Sequence, residues 1–91
     1  MADQIIVTVS GVDKIGIVAE VTSILAKYNV NIEDIKQTLM QGHFVMFMLC
    51  NIENSKKSFK EIKEALTDSG KKLGMEIWVQ KREIFDNMHK I

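Results

Sequence analysis

The chain has 91 residues, 46% hydrophobic and 26% charged, with twelve basic and twelve acidic side chains and a formal net charge of +0. That composition describes one globular domain and excludes an extended disordered chain, while neutrality excludes an overall field steering it toward nucleic acid or an anionic membrane. The single Cys50 excludes an internal disulfide and any cysteine spacing of the zinc-site kind.

The opening Met1-Ala2-Asp3-Gln4 and the short apolar run after it read as neither signal peptide nor membrane span, so a cytoplasmic location is the expectation. In "QIIVTVS", residues 4–10, Ile5, Val7 and Val9 alternate with Ile6, Thr8 and Ser10, which predicts a first strand with one strongly apolar face. From Gly16 the period changes. Ile17, Val18, Val21, Ile24, Leu25 and Tyr28 recur at spacings of one, three and four, predicting a helix over roughly 15–28 that lies on the sheet.

Asn29, Val30 and Asn31 break that helix, and "IEDIKQTLMQ" after them alternates unevenly, as an edge strand does. Gln41-Gly42 is a turn signal leading into a third strand, so the two runs form a hairpin. This third strand is apolar on both faces: Phe44, Met46, Met48 and Cys50 on one, Val45, Phe47 and Leu49 on the other. Helices can cover one face; the other must meet the C-terminal tail or another subunit.

In "KKSFKEIKEALTDSG", Phe59, Ile62, Ala65 and Leu66 form a stripe and Gly70 reads as a stop, predicting a second helix over about 55–69. A fourth strand follows over 75–81. The closing "REIFDNMHKI" places Ile84, Phe85, Met88 and Ile91 on a stripe of a short terminal helix, about 83–91, too short to stand alone. A homodimer is therefore expected, with Phe85 and Met88 in its interface. The element order, strand, helix, strand, strand, helix, strand, predicts an α+β, ferredoxin-like βαββαβ sandwich with an extra C-terminal helix.

The connection between first strand and first helix is the candidate site. The first turn of a helix presents N–H groups without intrahelical partners and the positive end of the macrodipole, which favours a carboxylate or phosphate. Gly11 and Gly16 would let backbone approach closely. The plainer reading makes Asp13 a cap or turn former and Lys14 a solvated charge. The spacing matches neither G-x-G-x-x-G nor the P-loop.

The run Asp13-Lys14-Ile15-Gly16-Ile17-Val18, its helix, and "YNVNIEDI" over 28–35 resemble the opening of an ACT domain, a small module that binds amino acids and regulates metabolic enzymes or their genes. The tail "EIFDNMHKI" narrows the resemblance to stand-alone ACT proteins of the UPF0237 type, and the likeness extends over essentially all 91 residues. It implies one ACT domain over 1–91, with a core of about 4–81, no cofactor and no catalysis. It also implies a side-by-side homodimer whose sheets join into one of eight strands. A small effector, an amino acid foremost, would bind between the loop and the neighbouring subunit. The matching positions are Asp13, Lys14, Ile15, Gly16 and Ile17 in the loop, with Asn29 and Asn31 before the second strand. Ile15 stands where this family often has Pro, which leaves the loop less preorganised.

Other chemistries fit less well. His43 and Cys50 are seven apart, an odd separation that puts them on opposite strand faces, and with His89 they make a poor metal set. Ser10, Thr22 and Ser23 have no histidine near in sequence, and adjacent Glu33 and Asp34 do not make a cooperating pair. Lys56, Lys60 and Lys63 share a helix face, but Glu61, Glu64 and Asp68 interleave, which reads as solvated surface and not as a nucleic-acid patch. A small acyl-phosphate hydrolase would want an arginine in the loop, and Arg82 is the only one in the chain. The remaining alternative is a structural or protein-interaction module with no small ligand; under the sensing reading, too, the signal would pass to an unidentified protein partner.

Overall fold

The computed structural model describes residues 3–12, 16–83 and 86. Its elements are β1 (Gln4–Val12), α1 (Ile17–Lys27), β2 (Asn31–Met40), β3 (His43–Asn51), α2 (Phe59–Leu73) and β4 (Glu76–Lys81). The strands form one antiparallel sheet in the order β2-β3-β1-β4. This is the βαββαβ sandwich that the element order predicts.

The alternation in β1 sets the layers. Ile5, Val7 and Val9 are fully buried under the helices beside Met46, Met48 and Cys50 of β3 and Ile77 and Val79 of β4. From α1, Ile17, Val21 and Leu25 enter this core, and from α2, Ile62 and Leu66. Burial of each such side chain contributes roughly 1.5–3 kcal/mol. The uneven alternation of β2 has a structural cause. A register shift between Ile32 and Asp34 inserts Glu33 as a bulge, so Ile32 and Ile35, three apart, both pack on the core. Gln41 (φ 50°) and Gly42 (φ 83°) make the two-residue hairpin turn with two left-handed residues.

Both helices end the same way. The N–H of Val30 donates to Leu25 C=O at 2.9 Å and that of Asn29 to Ala26 C=O at 3.0 Å, with Asn29 left-handed at φ 62°. Met75 and Gly74 repeat the pattern on Gly70 and Lys71, with Gly74 at φ 71°.

The second helix is shifted from the predicted 55–69. Its cap is Ser58: the Glu61 N–H donates to Ser58 Oγ at 3.2 Å, and the Ser58 N–H donates to Glu61 Oε1 at 3.1 Å. That hydrogen bonding from Ser58 holds the Glu61 carboxyl below its ordinary pKa. Ser55, three residues earlier, instead donates its hydroxyl to the Tyr28 carbonyl at 2.6 Å. Gly70 is no stop, because α2 runs through it to Leu73. A Cβ there would lie 2.9 Å from Ile77 Cγ1 and 2.9 Å from the Met75 carbonyl oxygen, so glycine serves close packing of helix on strand.

The predicted terminal helix with Phe85 and Met88 lies mostly outside the described residues. Arg82 and Glu83 are helical, and Arg82 Nε lies 3.3 Å from Asp86 Oδ2.

Candidate functional site

Gly16 caps α1 in a left-handed conformation, φ 90° and ψ −2°, with no side-chain cap bond. Its carbonyl accepts the Glu20 N–H at 2.9 Å, closing the first turn. The N–H groups of Ile17, Val18 and Ala19 have no i−4 partner within the helix. Ile17 itself is buried, so its side chain anchors the helix start in the core and its backbone N–H belongs to the helix mouth. A Cβ on Gly16 would meet no atom within 4 Å, so the constraint at this position is its φ and not space. Gly11 makes its close approach to Met75, whose Sδ would lie 2.6 Å from a Cβ there. Asp13, Lys14 and Ile15 lie outside the described residues.

Asn29 and Asn31 stand at the other end of α1. Eleven helical residues separate the two ends, a span of about 16 Å at 1.5 Å per residue. The sheet gives the same separation: Asn31 pairs with Asn51 and Asn51 with Gln4, at the start of β1, whereas the loop leaves from the end of β1 near Val12. Within one chain, Gly16 and Ile17 therefore do not meet Asn29 and Asn31. Asn29 already has a fold role as the left-handed residue that closes α1, and both asparagines are exposed.

At this far end, Arg82 Nη1 donates to Gln4 Oε1 at 2.9 Å and Gln4 Nε2 donates to Glu33 Oε1 at 2.7 Å. The only arginine is thus remote from the β1–α1 connection, which removes the geometry of an acyl-phosphate hydrolase. Gln4, Arg82 and the N-terminal end of α2 border a hollow of about 600 Å³ that also includes Lys57 and Lys81. The lysines of α2 are exposed; Lys57 pairs with Glu61 at 3.7 Å and lies 5.7 Å from the Tyr28 ring centroid.

Sequence spacing leaves a meeting of Ser10 with His43 to the accident of folding, and the fold makes it. Ser10 Oγ and His43 Nε2 are 2.9 Å apart on the sheet face away from the helices, because Ser10 pairs with Val45 and Val12 with His43 in the β1–β3 register. Only that register reveals the pairing, since the residues are 33 apart in sequence. Cys50 is fully buried on the opposite face, as its odd separation from His43 requires. Desolvation, with Glu33 adding negative charge nearby, raises the Cys50 thiol pKa from 9.0 to about 12. Among the described residues no group of three or more His, Cys, Asp or Glu is placed to hold a metal ion, and no helix is long and apolar enough to cross a membrane.

A βαββαβ sandwich with two helices on one face of an antiparallel sheet of order β2-β3-β1-β4 has the architecture of a small module of the ACT kind. The family model for the ACT domain matches residues 3–80, and the chain belongs to that family. Its relatives narrow the group. It is 46% identical over 86 residues to a UPF0237 protein of Listeria innocua, covering 94% of this chain and 97% of that one. To a UPF0237 protein of Methanococcus maripaludis it is 46% identical over 89 residues, covering 98% and 99%. Among solved structures, an ACT domain protein from Streptococcus pneumoniae superposes with a TM-score of 0.81 at 34% identity, covering 94% of this chain and 97% of that one. Domains of this family are non-catalytic modules with a regulatory, ligand-sensing role.

Proposed function

We propose that the chain senses a small carboxylate-bearing metabolite, an amino acid foremost, as a homodimer in the cytoplasm, and passes the bound state to a protein partner. The observation that carries this reading is that Gly16 and Ile17 stand at one end of α1 and Asn29 and Asn31 at the other. α1 lies over the β2 side of the sheet and α2 over β4, and β2 is a free edge of ten residues. Antiparallel pairing of two β2 edges would set two α1 helices side by side and head to tail, in one sheet of eight strands. Each helix mouth, at Gly16 and Ile17, would then face Asn29 and Asn31 of the partner subunit.

The chemistry supports an amino acid as effector. Its carboxylate would accept from the N–H groups at the α1 mouth, where the macrodipole is positive, and its ammonium would donate to asparagine or Asp13 oxygens. No group needs to transfer a proton. Native mass spectrometry of freshly purified protein, then calorimetry over the twenty amino acids, tests the reading. A dimer that binds one of them supports it. Asn31→Ala should then weaken binding by about 1–3 kcal/mol. A monomer, or a dimer silent to every amino acid, favours the interaction-module alternative.

A further inference from the structure

The sheet face away from the helices carries an apolar surface that no described element covers. Register places Lys36, Phe47, Thr8 and Trp78 in one row across β2, β3, β1 and β4. Phe47 is 44% exposed and Trp78 52%, while Thr8 between them is only 8% exposed. On one side lies the row Asp34, Leu49, Ile6 and Gln80; on the other, Thr38, Val45, Ser10 and Glu76. The relief is asymmetric. Trp78 stands as a knob on the β4 margin, and the β2 margin holds an open dent of about 320 Å³ bordered by Ile6, Asp34, Lys36, Phe47 and Leu49.

We propose that this face is a self-association surface whose occupant is a second copy of the chain, related by a twofold axis in the interface parallel to the strands. Such an axis keeps each row in register and exchanges columns, laying β2 over the partner's β4 and β3 over the partner's β1, in aligned face-to-face packing. The partner's Trp78 then falls on the dent beside Phe47, with the Lys36 ammonium at its indole. The bulky column Val45, Phe47 and Leu49 lies over the slighter column Ile6, Thr8 and Ser10. Lys36 comes within one row of the partner's Glu76, and the axis generates each contact twice. The other in-plane axis, across the strands, would set Lys36 on Lys36, Trp78 on Trp78 and dent on dent, a like-charge arrangement that specific interfaces avoid. Three rows over four strands span roughly 20 × 20 Å, below the ~800 Å² per partner of a standard interface. The expected affinity is micromolar, concentrated in the two Trp78 knobs.

Trp78 is the only tryptophan of the chain, so its fluorescence reports on the β4 margin of this face and not on the β2 edge. Emission and acrylamide quenching are followed beside sedimentation mass across a roughly thousandfold concentration range centred on the micromolar region. Emission should move to the blue and quenching should fall as mass rises. Lys36→Glu should shift the midpoint upward by roughly tenfold, and the exchange Lys36→Glu with Glu76→Lys should recover the part owed to the ion pair while the part owed to the indole stays lost. Mass that rises with no change at Trp78 supports pairing at the β2 edge and overturns this proposal. So does failure of the charge exchange to recover any of the lost association. Emission that is blue at every concentration and turns red on truncation after Arg82 assigns the face to residues 83–91 of the same chain, and equally overturns it.

Discussion

Gly70→Ala should destabilise the fold by about 1–3 kcal/mol, although the same change at an open mid-helix position gains roughly 1 kcal/mol. The reversal follows from packing. α2 crosses β4 where the chain turns back through Gly74, and a methyl at residue 70 would lie 2.9 Å from both Ile77 Cγ1 and the Met75 carbonyl oxygen. The isoleucine tip can rotate, but the carbonyl belongs to backbone held by the Met75 N–H to Gly70 C=O bond of 2.8 Å, so the helix must lift from the sheet. Urea unfolding of wild type and variant, compared by midpoint at equal slope, measures the difference. A stabilised Gly70→Ala would show that the helix and strand are less closely packed than this.

Alkaline pH should remove a comparable amount of stability through one thiol. Burial and the Glu33 charge raise the Cys50 pKa to about 12 in the fold, against 9.0 when free. Above pH 9 the unfolded chain releases this proton and the folded chain keeps it, so stability falls as pH rises through the window from 9 to about 12. The slope approaches ~1.4 kcal/mol per pH unit, which over the whole window amounts to about 4 kcal/mol. Denaturant melts of wild type and Cys50→Ala over this range isolate the contribution, since the variant lacks that slope. Parallel pH profiles would contradict the burial. At neutral pH the native thiol should resist alkylation and react fully in denaturant.

The sequence was legible where periodicity was strong. The alternation of Ile5, Val7 and Val9 identified the buried face of β1, and the two-sided apolarity of β3 marked the sheet face on which, among the described residues, Phe47 and Trp78 stand exposed. The start of α2 was placed too early, at about 55, because the local capping box of Ser58 and Glu61 was not read, and Ser55 serves the Tyr28 carbonyl instead. Gly70 and Gly74 were confused as well, one packing and one turning.

The candidate site was legible in part. The glycine that begins α1 marked the helix mouth, and its left-handed φ explains why that residue is needed. The helix predicted over 15–28 already set a distance between the two parts of the site. Asn29 and Asn31 follow Gly16 closely in sequence, but a whole helix intervenes and carries them to the opposite end of the sheet. The pairing of Ser10 with His43 was hidden for the converse reason, since a hairpin register joins residues far apart in sequence.

The sensing claim is tested most directly by an amide-resonance titration of the full chain with each amino acid, repeated on Gly16→Val. Valine at φ 90° costs roughly 1–3 kcal/mol of local strain and distorts the helix mouth, yet it meets no neighbour within 4 Å at its Cβ and leaves the core intact. One amino acid should shift the resonances of residues 11 to 18, together with those of Asn29 and Asn31, at millimolar concentration or below, and Gly16→Val should abolish the shifts while remaining folded. Resonances of residues 11 to 18 that stay still for all twenty amino acids would contradict it and leave the loop a connector.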